Sequence, residues 1–121
     1  MGTSYVEYKG FGFWTRDSFL ESWLTTMIGE MQRLPSLENW QSSLIGHWHL
    51  QTTIDSGCMR VGLDDFLVDE GRRQFLLALA KRSVGLSSQT GRRTGELFVC
   101  LLEEKLNTTS SSPIDYFEDP G

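Results

Sequence analysis

Residues 18–34 constrain the fold more than any other stretch. Leu20, Trp23, Leu24, Met27, Ile28, Met31 and Leu34 recur at steps of three and four, the spacing that gathers them on one face of a helix. A helix with so wide an apolar stripe must bury it against a second layer. Ser18 and Glu21 form an S-x-x-E pair. In such a pair the hydroxyl accepts from the amide three residues on and the glutamate reaches back to the serine amide, so the helix is expected to start at Ser18. Pro35 ends it, because proline disfavours helical geometry in Leu34 and has no amide hydrogen to donate. Just upstream, Tyr5, Val6, Tyr8, Phe11, Phe13 and Trp14 suit a half-buried pleated surface, with Gly10 and Gly12 marking a turn or a bulge. A strand or hairpin over residues 5–14 is the simplest second layer.

Further along, Ser36 can cap a second helix over 36–45, with Leu37, Trp40, Leu44 and Ile45 on one side and Gly46 closing it. From His47 the period reads as two: Trp48, Leu50, Thr52 and Ile54 point one way, and His47, His49, Gln51 and Thr53 the other. With a turn at Asp55-Ser56-Gly57 and a return through Leu63, this predicts a hairpin over 47–63. Residues 64–68 read as a loop. Asp69 or a nearby acid caps a helix over 69–85, with acids at its start and bases towards its end. A Ser/Gly-rich connection over 86–93 leads to a last helix over 94–106. The residues from 107 onward read as a loose acidic tail in which Ile114, Tyr116 and Phe117 can dock locally. The expected class is therefore α+β, a single domain with a small, mostly antiparallel sheet (5–14 and 47–63) covered by four helices.

A chain of 121 residues buries about two thirds of its unfolded surface, enough for a core without metal or disulfide. Cys58 and Cys100 stand apart, with no C-x-x-C spacing, and read as reduced thiols. No basic segment followed by an apolar one opens the sequence, and no run approaches the roughly 18 apolar residues of a membrane span, so a cytoplasmic protein without a membrane partner is expected. For the same reason Asn107-Thr108-Thr109 reads as a helix end and not as a glycosylation site. The net charge of −5 disfavours nucleic acid as a ligand of the whole surface. Its distribution is uneven: residues 1–70 hold 4 Lys/Arg and 10 Asp/Glu, and residues 71–105 hold 7 and 3. One acidic and one basic face follow.

His47-Trp48-His49 is the one metal-like spacing, because on a strand both imidazoles project from one face. Only two histidines are present, so a metal-dependent enzyme needs further ligands from Asp55, Cys58 or the acids at Asp64 and Asp65. Cys58 with a histidine across the hairpin is the least that a nucleophilic site requires, but no nucleophile elbow accompanies it. Gly10-Phe11-Gly12 lacks the third glycine of a phosphate loop, since position 15 is Thr15. Arg72/Arg73, Lys81/Arg82 and Arg92/Arg93 make a basic stripe from 72 to 93 on which an RNA-binding adaptor is conceivable, yet no aromatic residues interleave it for base stacking. No catalytic residue, metal or cofactor is assigned on these grounds. The favoured surface is the acidic loop, where Asp64, Asp65, Asp69 and Glu70 surround Phe66 and Leu67 and offer an apolar anchor with a charged rim.

Tyr8-Lys9-Gly10-Phe11-Gly12-Phe13-Trp14 leading into Arg16-Asp17, the Trp-rich helix, the segment around Trp48 and the acidic loop before Arg72 together resemble the small cytoplasmic immunity proteins that neutralise bacterial polymorphic or contact-dependent toxins. The resemblance implies a non-catalytic inhibitor of a cognate toxin. The acidic first half implies that this toxin is basic, as a nuclease domain would be. The expected contacts are Asp64, Asp65, Phe66, Asp69 and Glu70.

Overall fold

The structure, a computed structural model, describes residues 2–53 and 59–106. Two strands, β1 (Thr3–Tyr8) and β2 (Phe11–Arg16), precede five helices: α1 (Asp17–Gln32), α2 (Asn39–Thr53), α3 (Leu63–Phe66), α4 (Glu70–Leu86) and α5 (Gln89–Leu102). The class is α+β, as the sequence indicates, with helices outweighing the sheet.

The hairpin forms where the aromatic residues predict it. β1 and β2 pair antiparallel, with Tyr5 opposite Trp14 and Tyr8 opposite Phe11. Lys9 and Gly10 both take positive φ (53° and 85°), the backbone that a two-residue hairpin turn demands and that glycine supplies without strain. Val6, Tyr8 and Phe13 face the core, whereas Tyr5 and Trp14 meet at a tilt on the outer face with ring centroids 5.0 Å apart.

α1 buries all but the last of the predicted stripe: Leu20, Trp23, Leu24, Met27, Ile28 and Met31 are buried, and Leu34 packs just beyond the helix end. The Ser18–Glu21 capping box does not form. The helix begins one residue earlier, with Arg16 at the N-cap and no side-chain cap. β2 runs straight into it, and the junction is tied to β1 instead, since Asp17 N–H donates to Gly2 O (3.1 Å) and Ser4 Oγ donates to Asp17 Oδ1 (2.6 Å).

The predicted hairpin over 47–63 is overturned. α2 runs through Gly46 to Thr53, so the helix expected to close at 45 and the first predicted strand are one element. Gln41, Leu44, Trp48 and Thr52 are its buried residues, a 3.6-residue repeat that crosses Gly46, while Leu50, which strand alternation would turn inward, is 52% exposed. Gly46 interrupts nothing, because it lies on the outer face with nothing near its Cβ position. The predicted turn at Asp55-Ser56-Gly57, together with Ile54 and Cys58, lies outside the described residues. Residues 59–62 are not strand, and α3 runs into the supposed loop over 64–68 as far as Phe66. α4 begins as expected, its N-cap Asp69 accepting from Arg72 N–H (2.8 Å). α5 begins at Gln89, inside the predicted Ser/Gly-rich connection. The acidic tail, with its glycosylation-like triplet and the docking expected of Ile114, Tyr116 and Phe117, lies outside the described residues.

α1 is the centre of the helical layer, packed by α5, α2 and α4, and the hairpin lies against α1 and α5. Trp23 is fully buried and its ring meets Phe98 and lies over Gly95. A Cβ on Gly95 would come within 2.5 Å of that ring. The buried hydroxyls of Thr15 and Thr94 share a hydrogen bond (2.8 Å) that joins the sheet to α5.

Gly95→Ala should therefore destabilise by about 1–3 kcal/mol, the usual cost of overpacking. Gly29→Ala, in a helix with open space at its Cβ, should stabilise by roughly 0.5–1 kcal/mol. Urea unfolding of both variants checks the pair. Equal effects would mean that Trp23 yields freely.

Candidate interaction cleft

Segment 59–64 is fastened at one end to β1 and at the other to the hairpin turn. Met59 N–H donates to Ser4 Oγ (2.9 Å) and Lys9 N–H donates to Asp64 Oδ1 (3.0 Å). Between those two points α2 holds it: the Trp48 indole N–H donates to Val61 O (2.9 Å) and His47 Nε2 lies 2.7 Å from Arg60 O. Since a carbonyl only accepts, His47 carries its proton on Nε2. A cleft of about 710 Å³ lies between this segment and β1. Tyr5, Glu7 and Trp14 line it on the hairpin side and Arg60, Asp64 and Asp65 on the other, with His47 also on its wall.

The five predicted contact residues stand in different surroundings. Asp64 and Asp65, both exposed, stand at the cleft. Phe66 turns half inward onto the His47 ring (5.6 Å between centroids), and its carbonyl accepts from Arg72 Nη1 (3.0 Å). The apolar side chain exposed on this loop is Val68, at 64%. Asp69 caps α4 and lines a separate groove of about 370 Å³ with Glu38, Trp40, Arg72 and Phe75. Glu70 is occupied by Arg73 and Gln74. Tyr5, Trp14 and Glu7 were missed as cleft residues. Their signal was the alternation of the hairpin itself, which sends 3, 5 and 7 to the face opposite 4, 6 and 8.

His47 and His49 do not converge. Two residues apart on a helix they point about 200° from each other, His47 towards Arg60 and Phe66 and His49 to solvent. Among the described residues no three His, Cys, Asp or Glu side chains cluster as metal ligands would. Cys58, the candidate nucleophile, lies outside the described residues, and Cys100 is a half-buried free thiol.

The basic stripe is largely neutralised. Lys81 pairs with Glu103 (3.0 Å), Arg82 with Glu30 (3.4 Å) and Arg93 with Glu96 (3.7 Å). Arg72 lies over the Trp40 ring (5.0 Å). Arg73, mostly buried, holds Glu70 and also donates to Leu102 O at the end of α5. Two of the six bases are thus fixed in packing between elements.

No family model, curated protein or solved structure matches the chain. No helix among the described residues is long and apolar enough to cross a membrane. The functional reading therefore rests on the geometry of the cleft.

Electrostatics separate the local acids from the available ones. Hydrogen bonds from Arg73 and then Gln74 lower the Glu70 carboxyl from its usual 4.5 to about 2. A depressed folded value means that its contribution to stability is complete above pH 4.5 and is lost as the pH falls through about 2. An NMR titration should find the Glu70 midpoint near 2 in the wild type, and Arg73→Gln should move it back up towards the ordinary range. An unmoved midpoint would mean that Arg73 does not hold it.

Proposed function

We propose that the protein is a non-catalytic inhibitor of the immunity type, which captures a basic toxin domain at the carboxylate rim of the cleft. The observation that carries this reading is the company of the acids. Glu7 and Asp65 are exposed and form no ion pair among the described residues, and the half-buried rings of Tyr5 and Trp14 line the same cleft. Unpaired charge around aromatic surface is the composition of a protein-binding site, in which the rings contribute desolvated area and the acids set approach and orientation. A standard interface needs about 800 Å² from each partner, and the cleft with its rim can provide the centre of one.

RNA binding is the weaker reading because four of its six bases are paired with acids, and metal-dependent catalysis is weaker because its two histidines diverge.

Glu7→Lys with Asp65→Lys should reduce affinity for a cognate basic nuclease domain at least about tenfold and slow association, with stability nearly unchanged because exposed charges contribute little to it. Arg92→Glu, on the opposite half of the sequence, should have a much smaller effect. Calorimetry and stopped-flow mixing against a panel of basic toxin domains test this. Finding no salt-sensitive complex with any of them, or equal losses in the two variants, would sink the proposal.

A further inference from the structure

β1 presents an unfilled edge to the cleft. In an antiparallel ladder, hydrogen-bonded and non-hydrogen-bonded residue pairs alternate. Asp17 N–H donates to Gly2 O, which makes that pair a bonded one. Given the register, Ser4–Thr15, Val6–Phe13 and Tyr8–Phe11 are bonded pairs as well. Thr3, Tyr5 and Glu7 therefore turn their backbone N–H and C=O groups away from β2, and all three residues line the cleft. No hydrogen bond to these groups is present among the described residues. Segment 59–64, which could have paired with them as a strand, is among the described residues hydrogen-bonded to the hairpin only through the Ser4 and Asp64 side chains and in between is bonded to α2.

We infer that the cleft receives a short extended segment of the protein partner, which adds to β1 as a third strand and carries Lys or Arg at alternate positions. The backbone of Tyr5 and Glu7 supplies the pairing, and the strand period supplies the selectivity. Every second side chain of the added strand points to the face where Glu7 stands, with Asp64 and Asp65 across the cleft. The lining holds these three acids against the single cation of Arg60, and Lys9, next to it, is paired with Glu104 (3.4 Å). A basic strand fits that rim and an acidic one does not. This inference rests on the proposed capture of a basic partner and specifies how it occurs.

The test uses the full chain, labelled with nitrogen-15, and a capped octapeptide alternating lysine and valine. Two further peptides carry backbone N-methyl groups on one or the other alternate set of residues, and a fourth has glutamate for lysine. The lysine peptide should bind with salt-sensitive affinity and slow amide exchange at Tyr5 and Glu7 at least about tenfold. Methylating one alternate set should weaken binding about tenfold, methylating the other should not, and the glutamate peptide should not bind. Glu7→Pro, which removes an outward N–H that the hairpin does not use, should bind several-fold more weakly than Glu7→Gln, which removes only the charge. The exchange measurement on the wild type stands even if Glu7→Pro unfolds.

Binding with Tyr5 and Glu7 exchange unchanged, or indifference to both methylations, would overturn strand addition while leaving the acidic rim intact as a charge-based site. Failure of the lysine peptide to bind overturns it too, and the basic-partner reading is then judged separately by charge reversal against toxin domains. A free chain that already self-associates with these amides protected would assign the edge to a second copy, which also overturns the inference.

Discussion

The rest of the structure depends on the close approach of α1 to α5 at Trp23. The ring is fully buried, and it lies where any side chain at position 95 would stand. Glycine costs a helix interior about 1 kcal/mol relative to alanine. Burying a ring of roughly 200 Å² at about 25 cal/mol per Å² gains on the order of 5 kcal/mol, so the exchange favours the glycine. The approach has consequences outside the helix pair. It brings Phe98 against both Trp23 and Trp48 and sets Thr94 against Thr15, so one contact positions α2 and the sheet together.

A small polar relay then makes the cleft. Ser4, almost completely buried, accepts from Met59 N–H and donates to Asp17 Oδ1. Its single hydroxyl thereby satisfies a buried amide and joins the strand–helix junction to the start of segment 59–64. Buried polar groups left unpaired cost about 1–3 kcal/mol each, which gives this relay weight beyond its size. With Met59 fixed there and Val61 held by the Trp48 indole, the segment cannot close onto β1 as a strand, and the space between them stays open.

How much of this was legible in the sequence follows from which signals were local. The hairpin was, because β-type residues and a turn glycine sit together within residues 3–16. So was α1, whose stripe has a single period, and so was the start of α4, where Asp69 caps in the way its chemistry predicts. α2 was misread because residues 47–53 satisfy both periods, and Gly46 suggested a break that an outward-facing glycine does not impose. The 41-44-48-52 repeat was present but required reading across that glycine. The acidic loop was read as one surface because its residues are adjacent in sequence. Folding distributes them, since Asp69 and Glu70 serve α4 while Asp64 and Asp65 face β1. Glu7, Tyr5 and Trp14 join Asp64 and Asp65 through long-range contacts, Lys9 N–H to Asp64 and Met59 N–H to Ser4, that no spacing rule announces.

An open strand edge is a hazard, and the way this one is kept solvated bears on what it can accept. Exposed edges recruit other strands through the same groups that bond within a sheet, and native proteins guard them with charge, short length or cover. β1 has the first two: Glu7 and Lys9 flank its exposed end and it is six residues long, while segment 59–64 stands across the cleft without covering it. Adding the same edge of a second copy would bring one set of Glu7, Asp64 and Asp65 towards another. Each like-charge contact near 4 Å costs about 1 kcal/mol in water and several times that where water is excluded. A strand bearing lysine or arginine on one face meets the same field with the opposite sign. The charges that discourage self-addition are thus the ones that make the edge selective, and discrimination between a copy and a basic partner needs no contact beyond those already on the rim.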